Sequence, residues 1–104
     1  MCNTQSCKNF IAAIKEGHTL GEKAKPHDLT YQLTGDAGAR AKYIQYTRSA
    51  LQSLRKACAS FEKLNAKDIS ALSKKIDYQT LKENFAFSCP LAKSGSVEKI
   101  LEHY

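Results

Sequence analysis

The chain has 104 residues and a formal net charge of +6, from 16 Lys and Arg against 10 Asp and Glu. This length corresponds to one domain, residues 1–104, and excludes large multi-layer enzyme folds. The longest uncharged apolar run, Phe10–Ile14, is much shorter than the roughly 20 residues of a membrane helix, and no secretory signal pattern precedes it. We therefore expect a cytoplasmic protein without a membrane partner.

The four cysteines are expected to be free thiols, as is usual in a reducing compartment. Cys7 and Cys58 fall on apolar stripes, where cysteine behaves as a small buried hydrophobic residue. The even number of cysteines leaves three disulfide pairings open if the compartment is oxidising. The four cysteines are Cys2, Cys7, Cys58 and Cys89.

The first helix is predicted from about residue 3 to residue 16, with Asn3 or Thr4 as its N-cap and Gly17 as its terminator. Its apolar face holds Cys7, Phe10, Ile11 and Ile14. Residues 17–39 lose this period and contain four of the five glycines. We expect a loop-rich insert there with one short helix capped by Asp28, and a strand over residues 29–33 is the alternative.

The strongest predicted element is a long central helix over about residues 39–64. Its apolar residues are spaced three and four apart, which is typical of a helix that packs on two or more neighbours and would also suit a coiled-coil seam. At about 1.5 Å per residue the helix spans nearly 40 Å, so we expect one end to project or bend. The spaced residues are Ile44, Thr47, Leu51, Leu54, Cys58 and Phe61.

Shorter helices are predicted after residue 64. Asn65 and Asp68 form a weakened capping box, Asp77 caps the next helix, and Pro90 is expected to end it. A last helix begins near residues 94–96. The sequence thus predicts an all-α fold, a small bundle of four to five helices around one long central helix. Residues 68–85 also have the outline of a helix-turn-helix, but no glycine lies in the turn, so a plain helical hairpin is favoured.

Excess positive charge is confined to the central third of the chain. Residues 1–39 are neutral overall, residues 76–104 have a net charge of −1, and residues 40–75 have a net charge of +7. Only Glu62 and Asp68 oppose nine cations there. Arginine and lysine on a rigid helix are typical donors to phosphate groups. The nine candidate binding residues are Arg40, Lys42, Arg48, Arg55, Lys56, Lys63, Lys67, Lys74 and Lys75.

Other chemistry is less well supported by the sequence. No Cys-x-x-Cys pair accompanies the histidines, so we predict no metal site and no cofactor. Catalysis would have to use His18, His27 with Asp28, or Cys89, and a single sequence does not show that these residues meet in space. Residues 34–40 could hold an anion at a helix N-terminus, but Asp36 is better explained as the N-cap.

We therefore predict a non-enzymatic binding protein whose positive central segment engages a polyanion, with nucleic acid ahead of an acidic protein surface. The alternative is a protein–protein adaptor or inhibitor that uses the wide apolar face of the long helix. Such a protein could also self-associate as a homodimer through that face. Size and charge alone do not decide between the two.

Overall fold

The computed structural model describes residues 4–74 and 76–104, which form five helices and no strand. The all-α prediction is confirmed. Two long antiparallel helices make a hairpin, and three shorter helices pack against one end and one edge of it, giving principal extents of 49 × 24 × 21 Å. The helices are α1 (Gln5–Thr34), α2 (Ala37–Phe61), α3 (Ala66–Ser73), α4 (Tyr78–Lys93) and α5 (Ser96–Glu102).

The predicted loop-rich insert over residues 17–39 is wrong, because α1 continues through it to Thr34. The buried face changes there from large apolar residues to small ones, which hides the helical period in the sequence. Ala24 is buried, and a Cβ on Gly17 would lie 3.5 Å from the Ser53 Cβ, so these positions let α1 approach α2 closely. Pro26 is exposed, and packing along the hairpin outweighs the backbone hydrogen bond that proline removes.

The tip of the hairpin is a two-residue connection. Gly35 adopts a left-handed conformation with φ of 69° and donates its N–H to the Tyr31 carbonyl at 2.8 Å, which ends α1. Asp36 then accepts a hydrogen bond from the Ala39 N–H at 3.1 Å and begins α2. The predicted cap at Asp36 is confirmed, and Asp28 lies inside α1 rather than at a helix start.

The N-caps of α1, α3 and α4 are the predicted residues. Thr4 caps α1, Asn65 and Asp68 form a complete capping box on α3, and Asp77 caps α4. The predicted helix end at Pro90 is wrong, since α4 runs on to Lys93. Cys89 and Ala92 hold this part of α4 against α2, so tertiary contacts maintain the helix through the proline.

The core lies where α1, α2 and α4 meet, and three phenylalanines fill it. The Phe10 ring is fully buried, with its centroid 5.4 Å from that of Phe61 and 5.5 Å from that of Phe85. The wide apolar face of α2 is thus covered within the chain by α1 and α4. No helix in residues 4–74 and 76–104 is both long and apolar enough to cross a membrane.

A disulfide joins α2 to α4 beside this core, between Cys58 and Cys89. The expectation of free thiols is therefore wrong for these two residues, and also for Cys7, which is disulfide-bonded. The fold brings their Cα atoms to 5.9 Å, a separation typical of disulfides, although 31 positions separate them in the sequence. Cys7 is fully buried, as its apolar stripe predicts, and Cys2 lies outside the described residues.

Candidate nucleic-acid interface

One face of α2 is a continuous exposed stripe, bordered by α5 at its N-terminal half and by α1 at Lys56 and Ala59. Its residues recur every three or four positions, so they lie on one helix face, and the stripe extends for about 27 Å along α2 before reaching Lys63 in the following turn. It contains three cations, two glutamines and two alanines, and no acidic residue. We call these residues the basic stripe: Ala41, Gln45, Arg48, Gln52, Lys56, Ala59 and Lys63.

The three cations of the basic stripe have no hydrogen bond or ion pair from their side chains among the described residues. Lys42 is exposed next to Ala41 and is likewise unpaired within residues 4–74 and 76–104. The nearest acidic residue in sequence, Glu62, pairs instead with Lys93, at 3.0 Å. The stripe cations are therefore free of ion pairs in the part of the chain that the structure describes, although Glu102 lines a cleft with Arg48 and Glu16 lines one with Lys56.

Two of the predicted binding arginines do not belong to the basic stripe. The Arg40 Nε donates to the backbone carbonyl of Tyr104 at 2.9 Å. The Arg55 Nε donates to the backbone carbonyl of Ala92 at 2.9 Å, and its guanidinium also forms an ion pair with Glu98. Both arginines are half-buried, so they hold the C-terminal helices against α2 rather than facing solvent.

The remaining predicted cations lie beyond α2. Lys67 and Lys74 are exposed at the two ends of α3 and seven positions apart, which places them on one side of that helix. Lys75 is outside the described residues. The described candidate cations therefore do not share one exposed surface, because a 25-residue helix with neighbours on two sides distributes its cations over different edges.

A cleft of about 630 Å³ lies between α2 and α5, at the edge of the basic stripe. Arg40 and Arg48 line it from α2, and Glu102 lines it from α5. Glu98 lies nearby: its own backbone N–H and then the Arg55 guanidinium hold the pKa of this carboxyl below its usual 4.5. This edge of α2 thus combines arginines with carboxylates, and Arg48 belongs both to it and to the basic stripe.

The predicted catalytic alternatives are not brought together. His18 lines an apolar cavity of about 400 Å³ between α1, α2 and α4, His27 stacks on Tyr46 at 5.7 Å between ring centroids, and Cys89 is in the disulfide. The described residues also contain no group of three or more His, Cys, Asp or Glu side chains that could hold a metal ion.

Sequence reasoning missed the contribution of the C-terminal helix. Glu98 and Leu101 dock α5 on α2, and Leu101 is only 3% exposed. The signal is an amphipathic segment, with apolar Val97 and Leu101 next to acidic Glu98 and Glu102. The charge of the last third includes these acids, but their position opposite the α2 arginines depends on the fold.

Comparison with known proteins gives no match: no protein family, no curated protein and no solved structure is similar to this chain.

Proposed function

We propose that the protein binds a polyanion along the basic stripe of α2, with nucleic acid as the leading ligand class. The observation that supports this most directly is that Arg48, Lys56 and Lys63 are exposed along one side of α2 and the following turn, and none of them forms an ion pair among the described residues. Successive phosphate groups of a duplex strand are ~3.4 Å apart along the helix axis, so cations spread over a stripe of about 27 Å can meet several phosphates.

The composition of the stripe favours a polyanion over an acidic protein. Protein interfaces are usually centred on large anchors such as Tyr, Trp and Arg packed in desolvated pockets. Apart from Arg48, the stripe offers only lysine, glutamine and alanine, and no aromatic or large aliphatic side chain. Lysine and glutamine donate to phosphate oxygens from an open surface, and Ala41 and Ala59 let a backbone approach the helix closely.

The alternative function, an adaptor that uses the apolar face of α2, receives less support from the fold. Leu51, Ala57 and Cys58 on that face are each at most 7% exposed. A partner would have to replace α1 or α4 to reach them. We therefore keep the basic stripe as the proposed site and leave homodimer formation as an outcome to be measured in the same solutions.

The location in the cytoplasm remains an expectation that the disulfide does not favour. Disulfides such as Cys58–Cys89 are typical of oxidising compartments. The proposed binding does not depend on the compartment, because Cys58 is buried and lies off the stripe. Phosphate recognition by surface cations is the same in either setting.

A matched pair of double variants tests the proposal. Arg48→Gln with Lys56→Gln removes two stripe cations, and Lys8→Gln with Lys15→Gln removes two exposed cations from α1. Fluorescence anisotropy with a labelled duplex of about 20 base pairs should show a loss of about tenfold or more for the stripe variant and less than about twofold for the control. Equal losses of affinity in the two variants would show that binding depends on net charge alone and would refute the basic stripe as the binding site.

A further inference from the structure

The C-terminal helix α5 lies against the arginine-rich edge of α2 and supplies this edge with negative partners. Glu98 forms an ion pair with Arg55, and the Tyr104 carbonyl accepts from Arg40 at 2.9 Å. The Tyr104 ring stacks on Tyr43 with 4.6 Å between centroids. Arg40 and Arg55 are therefore occupied by carbonyl and carboxylate oxygens, which accept hydrogen bonds from a guanidinium group as phosphate oxygens do.

We propose that α5 is an internal competitor for the polyanion: it masks Arg40 and Arg55, and ligand binding displaces it from α2. This inference rests on the proposed function, since it concerns access to the same side of α2. Displacement would release Arg40 from Tyr104 and the Arg55 guanidinium from Glu98, while the Arg55 Nε keeps its hydrogen bond to the Ala92 carbonyl of α4. Arg40, Arg48 and Arg55 would then form a row whose members are seven or eight positions apart along the helix. The bound surface would then be wider than the basic stripe alone.

The apolar part of the contact between α5 and α2 is small. α5 has only seven residues, too few for a helix that persists alone in water. Leu101 is its one buried residue, and Ile100 is 67% exposed. The second carboxylate oxygen of Glu98 is buried without a hydrogen-bond partner, so the docked state leaves one polar atom unsatisfied.

The acceptors on α5 and at Tyr104 also explain why Arg40 and Arg55 are not already available to a ligand. Arg48 is exposed and lines the cleft together with Glu102, and its charge contributes to lowering the pKa of Glu98. A longer polyanion presents many phosphates to all three arginines, whereas α5 presents two carboxylates and one backbone carbonyl. The ligand therefore has the larger number of charge-assisted contacts once α5 has moved.

Undocking α5 should strengthen binding to a labelled DNA duplex. Leu101→Ala removes the buried anchor without changing charge, and Glu98→Gln removes the acidic partner of Arg55. We expect each variant to bind roughly threefold to fivefold more tightly, the scale of one partly exposed ion pair or weak contact. Glu22→Gln is the matched control, because it adds the same charge and also frees a paired cation, Lys25, on α1.

Displacement can be observed directly because the chain contains no tryptophan. In a Tyr104→Trp variant the single indole replaces the ring that stacks on Tyr43. Addition of duplex DNA should increase acrylamide quenching of this indole and shift its emission to longer wavelength. The same indole in a Leu101→Ala background should be accessible before any DNA is added.

The outcomes separate this inference from the proposed function. If wild type binds DNA but neither Leu101→Ala nor Glu98→Gln binds more tightly, the masking by α5 is overturned and the basic stripe stands. The same holds if Glu22→Gln gains as much affinity as Glu98→Gln. Unchanged quenching of the indole in Tyr104→Trp on binding overturns displacement. Failure of wild type and Leu101→Ala alike to bind DNA overturns both proposals. Binding of DNA by Leu101→Ala but not by wild type would support the masking of the arginines by α5.

Discussion

The Cys58–Cys89 disulfide should be a major source of stability, because it joins α2 covalently to α4 beside the core. The bridge closes a chain segment with a sequence separation of 31. Loop-closure entropy for a segment of this length corresponds to about 3.7 kcal/mol at 25 °C. The double variant Cys58→Ala with Cys89→Ala should therefore unfold at a clearly lower urea concentration than the oxidised wild type.

The assay is equilibrium urea unfolding followed by far-ultraviolet circular dichroism under non-reducing conditions. The two single variants provide the control, since loss of either sulfur breaks the bridge. Each should lose most of the free energy of unfolding that the double variant loses, so the two effects should not add. A double variant within about 1 kcal/mol of wild type would contradict the reasoning.

Two further predictions concern the core and the caps. Phe10→Ala should lower the free energy of unfolding by about 3–5 kcal/mol, because the ring is fully buried against Phe61 and Phe85. Ile100→Ala is the control and should have little effect, because the Ile100 side chain is exposed. A similar loss of stability from both substitutions would disprove this account of the core. Hydrogen bonds from the Thr80 hydroxyl, and then from backbone N–H groups, hold the pKa of Asp77 below its usual 3.8. Because the folded pKa is the lower one, the contribution of Asp77 is present above pH 3.8 and is lost as the pH falls through the folded value. The melting temperature of Asp77→Asn should thus fall less on acidification than that of wild type, and parallel curves would refute the role of this carboxylate.

Local signals in the sequence predicted much of the fold. The central helix followed from apolar spacing, and Thr4, Asp36, Asn65 and Asp77 lie at helix starts because their side chains accept the first free backbone N–H groups. Such signals depend on a few neighbouring residues. They survive in the fold because no tertiary contact opposes them.

Long-range packing explains what the sequence did not reveal. Gly17, Gly21 and Pro26 are weak helix formers, but α2 supports α1 along its whole length and the helix persists. Pro90 is tolerated for a similar reason, with Cys89 tied to α2. The disulfide itself depends on α2 and α4 lying side by side, which no local pattern encodes.

The candidate site likewise has some features that local sequence predicts and others that depend on the fold. The exposure of Arg48 followed from helical periodicity, which places it with Gln45 and Gln52 on the polar face of α2. The engagement of Arg40 and Arg55 did not, because their partners Tyr104 and Glu98 come from the far end of the chain. Net charge by segment thus identified the cations but not which of them are available to a ligand.

The salt dependence of binding tests the basic stripe most directly. With Lys42, Arg48, Lys56 and Lys63 each meeting one phosphate, the logarithm of the association constant for duplex DNA should fall with the logarithm of salt concentration with a slope of about −3.6. Engagement of Arg40 and Arg55 would make the slope steeper. A slope near zero, or one that is the same in Arg48→Gln with Lys56→Gln as in wild type, would contradict the claim that the exposed cations of α2 hold a polyanion.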